Sequence, residues 1–170
     1  MLGSINPAYS QTESRTDSSK YWTNIGVGFS SPEFTALGVV FSHELKNEKN
    51  ILSIRFIRAE EIRIFSSPSN AHWDLGVLVG VIRKKQRGMV SISAGGSIVG
   101  GKKKEELTGG ELFDAEYSTK NYTTVGLPIN SQIFFTPFSH FGIGLNGFAN
   151  INPKKSFAGV LVCLQIGKIH

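Results

Sequence analysis

From Tyr21 onward the chain alternates apolar with small or polar side chains at every second residue, in runs of about ten residues separated by turn signals. The run from His72 to Val81 shows the pattern best. One face carries Trp73, Leu75, Val77, Val79 and Val81, and the other carries His72, Asp74, Gly76, Leu78 and Gly80. A period of two belongs to a β-strand, whose successive side chains point to opposite sides. A strand with one oily face and one small, wet face separates two environments. Runs of this length cross a bilayer when tilted, so the pattern predicts an all-β, eight-stranded antiparallel up-and-down transmembrane β-barrel.

Alternation and turn residues place the strands. The first covers about 21–30, with Ile25, Val27 and Phe29 opposed to Asn24, Gly26, Gly28 and Ser30, and Ser31-Pro32-Glu33 turns it. The second, about 34–45, sets Leu37, Val39 and Phe41 against Ala36, Gly38, Ser42 and Glu44. The third starts near Ile51 and sets Leu52, Ile54 and Phe56 against Ser53 and Arg55; the fourth covers about 72–83. The fifth, about 89–99, places Val90, Ile92, Ala94 and Ile98 opposite Ser91, Ser93, Gly95 and Ser97. The sixth, about 122–135, is apolar at Val125, Leu127, Ile129, Ile133 and Phe135, and the seventh, about 140–151, at Phe141, Ile143 and Leu145. The eighth, about 157–168, sets Val160, Val162, Leu164 and Ile166 against Gly159, Cys163, Gln165 and Gly167. Pro128 lies inside the sixth run and has no N–H for a ladder, which predicts a bulge or frayed pairing there.

Two long connections, about 60–70 and 100–121, follow the third and fifth strands and fall at one end, while short turns follow the second, fourth and sixth. Outer-membrane barrels keep short turns in the periplasm, so both termini are expected there, together with a polar lead segment over residues 1–20. Tyr21, Trp22, Trp73, Tyr122, Phe135 and Phe138 stand at predicted strand ends, where aromatic side chains favour the membrane boundary.

A soluble lipocalin-like, ligand-binding barrel alternates too, with its apolar set inside. Glycine argues against it. Gly26, Gly28, Gly38, Gly76, Gly80, Gly95, Gly142, Gly144, Gly159 and Gly167 share the polar face, and small residues suit the cramped interior of a narrow barrel. The apolar face is therefore expected to meet lipid.

A length of 170 residues suits a single barrel, and no run of about 20 apolar residues offers a helical span. The single cysteine, Cys163, excludes an internal disulfide and reads as a buried strand residue. The start, Met1-Leu2-Gly3-Ser4, lacks the features of a secretion signal, so an exported protein must have had its signal removed or replaced. A net charge of +5 raises nucleic acid as a partner. The cations instead gather in Arg83-Lys84-Lys85-Gln86-Arg87, Lys102-Lys103-Lys104 and Lys154-Lys155, beside turn residues and without interleaved aromatics. They read as solvated loop ends touching anionic head groups, and no nucleic-acid partner is expected.

The C-terminal third, with Gly126-Leu127-Pro128-Ile129, Phe134-Phe135-Thr136-Pro137-Phe138, Gly142-Ile143-Gly144-Leu145, Phe148-Ala149-Asn150-Ile151-Asn152 and Ser156-Phe157-Ala158-Gly159, resembles small outer-membrane β-barrel proteins of Bacteroidetes bacteria. The resemblance is strongest over 126–169 and looser over 22–99. It implies a porin-like barrel of the OmpA-like superfamily in a Gram-negative outer membrane, and it carries no catalytic residue. The terminal Gly167-Lys168-Ile169-His170 departs from the final aromatic common in such barrels.

The chemistry expected inside the barrel is structural. Glu44, Arg55, His72, Asp74, Asn146, Asn150 and Gln165 fall on the inner face, and symmetric pairing about the third loop would set Arg55 opposite Asp74 as a buried ion pair plugging the lumen. Lipid-modifying enzymes that carry out acyl transfer or deacylation are built on similar barrels and need a serine, a histidine and a carboxylate together. Here Ser42-His43 and Ser139-His140 fall at the periplasmic end, while His72 and Asp74 have only Ser69 in the neighbouring loop and His170 is terminal. No catalytic, cofactor or metal site is therefore expected. The acids Glu105, Glu106, Glu111, Asp114 and Glu116 lack the regular spacing of a calcium loop. A filled eight-stranded lumen leaves no porin-sized channel. The expected role is a structural or interaction component of the outer membrane, with lipid and other outer-membrane proteins of a larger complex as partners.

Overall fold

The structure, a computed structural model, describes residues 20–31, 34–46, 49–61, 71–106 and 117–169. Its strands are β1 (Tyr21–Ser30), β2 (Phe34–Glu44), β3 (Asn50–Glu61), β4 (Ala71–Lys85), β5 (Gly88–Glu106), β6 (Tyr117–Phe138), β7 (Phe141–Ile151) and β8 (Phe157–Lys168). Each pairs antiparallel with its chain neighbour, and β1 also pairs with β8, so the sheet closes on itself as an eight-stranded barrel. Closure leaves no strand edge to be satisfied by water or by another chain.

The two faces divide as the alternation requires. Val77, Ile92 and Val162 are 54%, 57% and 57% exposed on the outside, whereas Arg55, Asp74 and Gln165 are wholly buried within. So apolar an exterior does not fit a soluble lipocalin-like barrel, although the interior is mixed, with Trp22, Ile57 and Leu161 buried beside the polar set. Along β4 the outward apolar column runs from Trp73 to Val81, about 27 Å of strand at ~3.4 Å per residue. Tilted by about 40°, it makes a band about 20 Å tall, close to the apolar girdle of a membrane barrel.

Glycine faces inward for a reason more local than lumen space. A Cβ added at Gly28 would stand 2.0 Å from the Val160 carbonyl oxygen, at Gly95 1.9 Å from that of Val77, and at Gly144 2.1 Å from that of Ile133. What it would strike is the neighbouring strand's backbone, folded inward by the tight curvature of a narrow wall.

The boundaries of β1 and β8 match the expectation, and the main departure lies between β5 and β6. Their ladder continues from Lys102↔Asn121 out to Glu106↔Tyr117, where alternation of hydrophobicity has already ended. A ladder is made by backbone groups and persists without an apolar face, so both strands run beyond the ends that alternation marks. Glu111, Asp114 and Glu116 lie outside the described residues, as do residues 1–19, Ser69 and His170.

Pro128 frays the pairing without shifting it. Contacts between β5 and β6 pass from Ala94↔Ile129 directly to Ser97↔Gly126, so the register is kept and only Gly95 and Gly96 are skipped. The register shift of this region lies between Phe135 and Phe138, opposite the start of β7. At the same end Gly167 adopts φ 151°, and Ile169 turns back over the mouth, its N–H donating to the Ser139 carbonyl at 2.9 Å.

Candidate functional site

The inward side chains fill the lumen with struts that join strands from opposite walls. The central one is Arg55 on β3. Its guanidinium pairs with the Asp74 carboxylate on β4 and reaches across the barrel, where Nη1 donates to the Ile129 carbonyl at 2.8 Å and Nη2 to the Ala149 carbonyl at 3.2 Å. Asn150 Nδ2 donates to Asp74 Oδ2 at 2.9 Å and to Ser97 Oγ at 2.8 Å. Direct opposition of Arg55 and Asp74 is corrected: Arg55 faces Gly76 in register and Asp74 faces Ile57. The ion pair forms diagonally, because a long guanidinium arm spans one step along the strand and Gly76 offers no side chain to meet.

A second strut lies nearer the short-turn end. Asn24 Nδ2 on β1 donates to Gln132 Oε1 on β6 at 3.1 Å, and Ser91 Oγ donates to the same oxygen at 3.4 Å. Asn146, oriented with its amide nitrogen toward β6, donates to Asn130 Oδ1 at 2.9 Å. Gln165 Nε2 points to the Met89 sulfur at 3.8 Å. At the mouth, Glu44 pairs with Lys84, whose Nζ also donates to the Ile169 carbonyl at 2.7 Å and stands 5.0 Å from the Trp22 ring centroid. At the other end, His72 stacks on Phe157 with ring centroids 4.3 Å apart.

All seven residues assigned to the lumen from sequence, Glu44, Arg55, His72, Asp74, Asn146, Asn150 and Gln165, are therefore inside, although they form several separate groups. Asn24 lies on the inner face that alternation predicts, whereas Lys84, Gln132 and Trp22 are lumen residues beyond those expected from sequence. The lysine cluster reads as a solvated loop end, but β4 runs on to Lys85 and parity with Asp74 turns Lys84 inward. Trp22 and Tyr122 are also corrections among the boundary aromatics. Trp22 shares the face of Asn24 and is fully buried, and Tyr122 lies over the bare backbone of Gly101. Tyr21, Phe135 and Phe138 do face outward at the short-turn end, and Trp73 covers Gly100 on the outer wall at the other.

The serine–histidine pairs do not assemble. Ser42 is inside, bonded to Ser53 Oγ at 2.9 Å, and His43 projects from the opposite side of the wall. Ser139 and His140 form the exposed turn before β7. Among the described residues no group of three or more His, Cys, Asp or Glu side chains gathers in a metal-binding arrangement. Cys163 is buried and forms no disulfide among the described residues. At the long-loop end a cleft of about 690 Å³ opens between β3 and β6, with Arg58, His72, Trp73, Lys102 and Tyr122 among its lining.

No protein-family model matches the chain, and no curated protein sequence matches it. Solved structures do. The attachment invasion locus protein Ail of Yersinia pestis, solved in complex with the heparin analogue sucrose octasulfate, aligns with a TM-score of 0.59 at 12% identity over 88% of this chain and 97% of Ail. Neisserial surface protein A aligns with a TM-score of 0.58 at 11% identity, over 88% and 95% of the two chains. The N-terminal β-barrel domain of Pseudomonas aeruginosa OprF gives 0.57 at 7% identity, over 87% and 96%. At such identities the likeness is one of fold: the chain is a closed eight-stranded antiparallel barrel of the kind built by these outer-membrane proteins.

Proposed function

We propose that this chain is a small integral outer-membrane β-barrel of a Gram-negative bacterium, serving as a structural and interaction component rather than as a pore or an enzyme. The observation that carries the reading is the inverted polarity of the wall: an apolar exterior around a lumen crossed by the Arg55–Asp74–Asn150 strut. Such an exterior is stable only against acyl chains, and such a strut obstructs solute flow. The short turns would lie in the periplasm and the long connections outside, where the cleft beside Trp73 and Tyr122 offers a contact surface for other outer-membrane proteins. The Bacteroidetes affinity is supported by the C-terminal motifs alone.

The test is fractionation of the expressed protein. It is expected in the outer membrane, extracted only with detergent, migrating on gels at two positions according to heating, and silent at porin-scale conductance in planar bilayers. Solubility without detergent, or a porin-sized conductance, refutes the reading. Stoichiometric partners retained on purification from native membranes support the interaction role, and a lone monomer counts against it.

A further inference from the structure

The charges are segregated between the two ends of the barrel. Among the described residues, the short-turn end (20, 43–46, 49–50, 83–88, 139–140 and 168–169) carries eight Lys or Arg against one Glu, and that acid, Glu44, is buried and held by Lys84. The described residues of the long-loop end (31, 58–61, 71, 101–106, 117–121 and 152–156) carry seven Lys or Arg against four Glu. The greater share of the positive excess therefore belongs to the short-turn rim.

The placement of that charge is specific. Arg83 and Lys85 continue the outward column that ends at Val81, and Lys168 continues the column that ends at Ile166, so these cations stand on the outer wall directly beyond the apolar band. Arg87 and Lys46 are exposed in the adjoining turns. Tyr21, paired in register with Lys168, and Phe138 at 69% exposure mark the same level. Aromatics and cations together at the edge of an apolar band are the dress of a membrane surface carrying negative charge.

We infer that the short-turn rim is a binding collar for anionic phospholipid, with Arg83, Lys85, Arg87, Lys168 and Lys46 engaging the head-group phosphates of the leaflet it meets. A soluble acidic partner would approach along the barrel axis, whereas side chains on the outer wall meet head groups sideways. A second copy of the same rim would be repelled by like charge. The inference rests on the membrane-spanning reading above and narrows its lipid partner.

The experiment uses the full chain refolded into vesicles of phosphatidylcholine containing spin-labelled phosphatidylglycerol or phosphatidylcholine, with the immobilised lipid fraction read by electron spin resonance. Phosphatidylglycerol is expected to be retained about threefold over phosphatidylcholine, the factor that one exposed ion pair supplies. About 0.5 M salt, which shortens the screening length to a few ångströms, should abolish the preference. So should the combined variant Arg83→Gln, Lys85→Gln, Arg87→Gln and Lys168→Gln, while Lys120→Gln and Lys154→Gln at the opposite end should leave it intact. Insertion without lipid preference, a preference carried by the opposite end, or tighter retention of soluble polyglutamate than of phosphatidylglycerol overturns the collar. Failure to enter phosphatidylcholine vesicles at all instead overturns the membrane-spanning reading, and the salt arm decides the collar even if the combined variant does not fold.

Discussion

The Arg55–Asp74 pair shows what a single buried charge commits the chain to. Both side chains are withdrawn from water, and Asp74 Oδ1 and Arg55 Nε find no hydrogen-bond partner among the described residues. Desolvation makes such a pair a weak source of stability, yet removal of one member leaves the other charge stranded. Asp74→Ala is therefore expected to cost about 3–5 kcal/mol in urea unfolding from lipid vesicles. Replacing both residues together by Met and Leu is expected to cost much less. A second residue stores strain. Gln86, in the two-residue turn between β4 and β5, has φ 41°, a conformation costing a side-chain-bearing residue roughly 1–2 kcal/mol. Glycine relieves that strain while losing about 0.5–1 kcal/mol to its own entropy, so Gln86→Gly should stabilise by up to ~1 kcal/mol in the same unfolding assay.

Among the elements, the β5–β6 seam is the point where the wall is least complete. Pro128 donates no hydrogen bond to β5, and the ladder skips Gly95 and Gly96 while keeping its register. A Cβ on Gly76 would approach the Pro128 ring to 3.2 Å, so glycine there gives the ring its room from β4. Pro128→Val restores a donor of similar bulk and is expected to raise stability by about 0.5–1.5 kcal/mol, the net yield of one hydrogen bond. Slower amide exchange at Gly95 would be the accompanying signature. Unchanged exchange would place the cause of the skipped pairs in the two glycines instead of the proline.

At the level of the whole molecule, the fold depends on which solvent meets which face. Val77 stands at the middle of the outward column at 54% exposure. Val77→Arg should lower folding stability in vesicles by about 2–4 kcal/mol, as expected for a cation at the bilayer midplane. The same arginine at Thr123, beside the cleft at the long-loop end, should cost under ~1 kcal/mol. A soluble barrel would tolerate both alike, so the difference between the two sites measures the membrane itself. The proposed lipid collar belongs to this scale too, because it draws on the charge of a whole rim and no single residue carries it.

What the sequence by itself determined is the set of properties repeated at every second residue. Alternation fixed eight strands, their inward and outward sets and the two ends, because each position contributes to the same period and an error at one is outvoted by the others. The parity of Lys84 and Trp22 was equally present in the chain, but a cluster of lysines and a strand-end aromatic signalled a surface more loudly than parity signalled a lumen. Tertiary structure alone decided the rest. That Arg55 meets Asp74 on the diagonal and reaches the carbonyls of Ile129 and Ala149 depends on barrel diameter and strand stagger, which no local window contains. Alternation placed the glycines inside, but the reason no Cβ fits there, the neighbouring strand's backbone at about 2 Å, belongs to the closed wall. Pairings across a closed sheet are long-range facts, fixed only when β1 meets β8.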